Sequence, residues 1–152
     1  MQIRSTRFGD IEVTEDMLIR FPHGLPGFPQ EHEFAYLPAE VDNPFAFLQS
    51  TTEPDITFIV VDPFAFFKDY EFSLDDQIAH ELGLSNENPP QIINIVSIPS
   101  NPEEMTANLL APVIVNTQSK TATQMVLEKT AYTTRHRLFP NGFDRPPGKE
   151  DK

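Results

Sequence analysis

Proline sets the limits on what this chain can build. Fifteen of its 152 residues are proline. Each one fixes φ near about −65° and removes a backbone N–H. Long helices and long uninterrupted strands are therefore excluded, which leaves short elements with stiff connections. Pro112 is the most informative, because it lies inside the apolar stretch 105–116. On period-2 alternation, Leu109, Ala111, Val113 and Val115 fall on one face; Asn108, Leu110, Pro112, Ile114 and Asn116 fall on the other. A half-buried strand should be polar on its outer face, and this one is not. Pro112 cannot donate to a ladder, so the strand should lie at an edge or break there. The apolar outer face predicts a covered surface, with either a partner or another segment of the same chain as the cover.

The remaining segments follow the same pattern. Residues 2–21 alternate Ile3, Phe8, Ile11, Val13, Leu18 and Phe21 with charged residues, and Gly9-Asp10 predicts a turn between two short strands. Thr14-Glu15-Asp16 predicts a helical or tight turn. Prolines 22, 26 and 29 with Gly24 and Gly27 predict an ordered loop pinned by Phe21, Leu25 and Phe28. Strands are expected at 34–37, 45–51 and 56–61. In the aromatic run 64–72 most rings should fill the core, with one or two left outside beside Tyr70 as a docking patch. A helix is expected over 73–83, capped by Ser73 with Asp76 at N3. Its stripe is Leu74, Ile78 and Leu82, and Gly83 ends it. Residues 92–98 are apolar on both faces, which predicts a central strand. A loop at 117–121 and a returning strand at 122–128 complete the pattern. Together these predict a mostly β protein: a small antiparallel, partly open β-barrel with one short helix. The domain spans 1–139, followed by a flexible tail at 140–152.

A net charge of −12 repels phosphate backbones and suits a basic protein partner, so direct nucleic-acid binding is not expected. Cysteine is absent, which removes disulfides and thiol chemistry. No basic-then-apolar leader and no apolar run of about 18 residues is present, so no membrane association is expected and the cytoplasm is the expected location. His32-Glu33 and His80-Glu81 begin like metalloprotease motifs, but Tyr36 and Leu84 stand where the second His is needed. No nucleophile elbow occurs. No enzyme, metal or cofactor is therefore expected. The cluster Arg135-His136-Arg137 is expected to pair with nearby carboxylates. The acids Asp75, Asp76 and Glu81 of the helix and Glu103 and Glu104 before the apolar stretch flank the suspected docking segments, so they are the candidate charged contacts.

Five motifs in fixed order carry a resemblance: Gly24-Leu25-Pro26-Gly27-Phe28; Pro44-Phe45 with Leu48-Gln49-Ser50; Asp62-Pro63; Asn108-Leu109 with Ala111-Pro112-Val113-Ile114-Val115-Asn116; and Tyr132-Thr133-Thr134-Arg135-His136. Over residues 1–139 the chain resembles the bacterial flagellar assembly factor family FliW. The resemblance implies a non-enzymatic regulator with a small β-barrel-like fold. It also implies two partners: the RNA-binding translational repressor CsrA, which the factor keeps from flagellin mRNA, and flagellin itself, which releases CsrA. Synthesis is thereby coupled to secretion. The alternative reading is a small-ligand-binding or hydrolytic barrel, which would need a buried cavity lined by converging Asp, Glu or His.

Overall fold

The computed structural model describes residues 1–40 and 42–142. Most of the expected tail lies outside them. Eleven strands appear among the described residues, none longer than seven residues, as the proline spacing requires. They are β1 (Gln2–Ser5), β2 (Gly9–Glu12), β3 (Leu18–Arg20), β4 (Glu33–Pro38), β5 (Phe45–Ser50) and β6 (Thr57–Val61). After these come β7 (Gln91–Ser97), β8 (Thr106–Ala107), β9 (Val113–Asn116), β10 (Thr121–Gln124) and β11 (His136–Arg137). The one α-helix among the described residues is α1 (Asp76–Leu82).

β1 and β2 form a separate hairpin. Strands β3 to β7 run as a meander, and β7 pairs with β9, β9 with β10, and β10 with β3. Seven strands thus close on themselves, more fully than the expected partly open barrel. The closing seam is thin: β10 meets β3 through the single parallel pair Thr121–Arg20, while the other pairings are antiparallel. β8 and β11 extend the sheet outward from β7.

Every barrel strand sends a side chain into one apolar cluster. Ile19, Phe34, Leu48, Val60, Ile93, Val115 and Ala122 come from β3, β4, β5, β6, β7, β9 and β10 in turn. Burial of these groups is the main driving force for closure. A second cluster lies on the flank of the barrel. There Val61, Tyr70, Val96, Ala107, Leu109 and Leu138 pack with Phe66 and Phe67 of the aromatic run.

Pro112 breaks the apolar stretch into β8 and β9, as predicted. It also explains why β10 ends at Gln124 rather than near residue 128. The register that pairs Thr121 with Asn116 continues, since Met125 N–H donates to the Pro112 carbonyl at 2.9 Å and Leu127 N–H to the Leu110 carbonyl at 2.8 Å. Pro112 has no N–H to return, and Leu110 N–H goes instead to the Thr133 carbonyl at 3.0 Å. A one-sided ladder is not a regular strand pair.

Helix α1 begins later than the sequence suggests. Asp75, not Ser73, is its N-cap: the carboxylate accepts from Gln77 N–H at 2.7 Å and Ile78 N–H at 3.3 Å. Gly83 ends the helix in the left-handed conformation at φ 74°, as expected.

Candidate interaction surface

The apolar outer face of the 105–116 stretch is covered by the chain itself. Val113 and Val115 point into the barrel, while Ile114 is fully buried in a third cluster with Leu82 of α1 and Met125. Pro112 and Asn116 are buried as well. Of the two covers left open by the sequence, the chain itself is the one present, and Pro112, Ile114 and Asn116 are corrected as candidate partner contacts. The leucine stripe of α1 needed an apolar seat, and this face supplies it.

Asn116 is saturated by local bonds. Its amide donates to the Leu82 carbonyl at 2.6 Å, and its Oδ1 accepts from Gln118 N–H at 2.9 Å and Ser119 N–H at 3.1 Å. It ties the end of α1 to the β9–β10 turn. Asn108 Oδ1 accepts from Ala111 N–H at 3.1 Å. Of the five residues on that outer face, Asn108 and Leu110 keep partial exposure.

Tyr70 is corrected too. It is buried, with its ring edge-on to Tyr132 at 4.8 Å. Its hydroxyl donates to the Leu109 carbonyl at 2.7 Å and accepts from Asn94 Nδ2 at 3.3 Å. Burial pushes the phenol pKa up to about 12; the Asn94 bond works against that shift and nearby Tyr132 adds to it. A ring held this way fastens the aromatic run to the barrel and cannot form a docking patch. The exposed ring in that run is Phe64.

The candidate acids fall in two places. Asp75 lines a cleft of about 460 Å³ between residues 71–75 and 125–130. Glu104 lines a separate hollow with Ile98, Thr106 and Arg135. The two hollows share no residue. Asp76 and Glu81 are exposed on α1, and Glu81 reaches His23 of the glycine–proline loop at 3.2 Å. Glu103 is half-buried, and its carbonyl accepts from Arg137 at 3.2 Å. The expected pairing of Arg135 and Arg137 with carboxylates is not found among the described residues; Arg137 bonds to main-chain carbonyls instead.

Among the described residues there are three ion pairs, and all are at least partly open to solvent. Against 23 acids in the sequence, these neutralise little. Two of the histidines carry local structural bonds: His32 Nδ1 lies 3.0 Å from the Phe21 carbonyl, and His136 Nε2 accepts from Thr133 N–H at 2.9 Å. Among the described residues, no group of three His, Asp or Glu could hold a metal ion. No helix there is long and apolar enough to cross a membrane.

Sequence reasoning read residues 122–128 as a strand but did not single out 125–130 as a surface, where Val126 is 59% exposed. The signal was present in Pro112. A proline in one strand of a hairpin withholds donors from its partner, and the partner here is this segment.

The motif order and the closed barrel are matched by known proteins. The profile of the family described as FliW protein matches residues 2–138. The chain belongs to the FliW family. A flagellar assembly factor FliW from Desulfitobacterium hafniense (strain DSM 10664 / DCB-2) is 51% identical over 140 residues, covering 92% of each chain. The Bacillus subtilis (strain 168) flagellar assembly factor FliW is 43% identical over 136 residues, 90% of this chain and 95% of that one. A crystal structure of a flagellar assembly factor FliW superposes with a TM-score of 0.83 at 37% identity, covering 92% of this chain and 98% of the other. The FliW fold is thus shared over nearly the whole length.

Proposed function

We propose that this chain acts in flagellar assembly as a protein-binding antagonist of CsrA and that it also binds flagellin, so that free flagellin releases CsrA and coupling to secretion follows. The observation that carries this reading is its identity of 51% with a named flagellar assembly factor across 92% of both chains. The unneutralised acidic surface supports it. A repressor that grips RNA must present positive charge, and a −12 protein is attracted to such a surface and lowers the potential that phosphates feel beside it. Antagonism by binding needs no catalytic group.

The test uses purified components. CsrA is first loaded with a labelled flagellin leader RNA and then titrated with the chain. RNA release is expected as a CsrA complex forms, and added flagellin should restore RNA binding. If no complex with CsrA forms on size-exclusion chromatography and RNA occupancy is unchanged, the reading is overturned.

A further inference from the structure

We infer that residues 125–130 form an open strand edge that accepts an extended, basic peptide as an added β-strand in the cleft facing residues 71–75. Backbone parity makes the argument. In an extended chain, N–H and C=O groups of successive residues point to opposite sides. The amides of Met125 and Leu127 turn toward Pro112 and Leu110, so those of Val126 and Glu128 turn away from β9. On that far side β10 has only its single pair with β3, at Thr121. Among the described residues, the main-chain groups of Val126 and Glu128 meet no partner, and neither do those of Phe72, Ser73 and Leu74 across the cleft.

Neither wall is a regular strand, but both carry the side-chain alternation of one. Exposure alternates along Glu71, Phe72, Ser73, Leu74 and Asp75, and again along Met125, Val126, Leu127 and Glu128. The inward side chains Phe72, Leu74, Met125 and Leu127 join the cluster that seats α1, so both walls are anchored. Unpaired amides along an anchored edge are what strand addition uses for affinity, while side-chain positions on alternate faces give selectivity.

Charge selects the occupant. Glu71, Asp75 and Glu128 line the cleft against Lys129 alone. An added strand with basic residues on its outer face and apolar residues on its inner face meets acids outside and the apolar floor inside. A second copy of this chain would bring the same acids to the same acids, which like-charge repulsion opposes.

The probe is a capped synthetic heptapeptide alternating lysine and valine, added to the full chain. Binding is followed by anisotropy and by amide hydrogen exchange. The amides of Val126 and Glu128 should slow on binding, and the amides of β5 should not change. Val126→Pro removes an edge donor without breaking an existing bond and should weaken binding roughly tenfold, the effect of about one hydrogen bond. Should that variant fail to fold, Glu71→Lys with Glu128→Lys keeps the backbone intact and should also weaken binding. The same peptide with alternate amides N-methylated should not bind the parent chain. Peptide binding that leaves the Val126 and Glu128 amides unprotected, or that survives both variants, overturns the inference. So does self-association of the chain that Val126→Pro abolishes, because the occupant would then be a second copy.

Discussion

The hydroxyl of Tyr70 donates to the Leu109 carbonyl from inside the second apolar cluster, and burial raises its pKa to about 12. The ordinary value is 10.0, so the folded state holds the phenol proton more tightly than the unfolded chain. The stability tied to this group is fully present below pH of about 10 and is lost as pH rises through about 12. Tyr70→Phe should flatten that alkaline loss while costing about 1 kcal/mol at neutral pH through the missing hydrogen bond. Urea unfolding of both proteins at stepped pH measures it, and parallel curves above pH 10 would mean that the phenol is not the titrating group. Gly24 and Gly27 both have positive φ, at 65° and 85°. A Cβ on Gly24 would also meet the Pro29 carbonyl oxygen at 2.6 Å, while one on Gly27 meets nothing within 4 Å. Gly24→Val should therefore cost several kcal/mol and Gly27→Val about 1–2 kcal/mol, backbone strain alone. Equal losses in the two unfolding curves would refute the difference.

At the level of elements, helix α1 yields the sharpest comparison. Asp75 caps it, so Asp75→Ala should lose about 1 kcal/mol, while Ser73→Ala should change the midpoint of thermal unfolding very little. The reverse ranking would restore the cap suggested by the Ser73 and Asp76 spacing. That misplacement has a physical origin: Ser73, Asp75 and Asp76 can each cap a helix, and they cannot be ranked without knowing where the preceding chain is held extended. The strand break at Pro112, the central β7 and the hairpin around residues 117–121 were legible because each follows from backbone chemistry within a few residues. The burial of Ile114 was not, because alternation shows that a face is apolar without naming what covers it. The answer lay in the stripe of Leu74, Ile78 and Leu82, more than thirty positions earlier in the chain. The short β11 was missed for a related reason: it exists only because β8 offers it an edge.

For the whole molecule, charge is the property that matters most, and it makes the proposed antagonism testable by salt. Asp76→Asn with Glu81→Gln removes acids from α1; Glu103→Gln with Glu104→Gln removes them beside β8. Asp75 is kept, since it caps the helix. Because the two groups line different regions, one pair of changes should weaken RNA exclusion by saturating protein more than the other. The deficit should be larger at low salt, where screening acts over a longer distance, than at the roughly 10 Å Debye length of 0.1 M salt. Competition binding at several salt concentrations reads this directly, and undiminished exclusion by both variants at every salt would exclude electrostatics as the cause.

The thin seam between β3 and β10 also orders events during synthesis. Arg20 leaves the ribosome early and Thr121 late, so the meander β3 to β7 exists for most of translation as an open sheet with two unpaired borders. Pairings between distant positions form slowly, and exposed borders invite association with other chains. The interval before Thr121 emerges is therefore the time of greatest hazard. The apolar residues of β9 and β10 end that interval, converting an association-prone ribbon into a barrel.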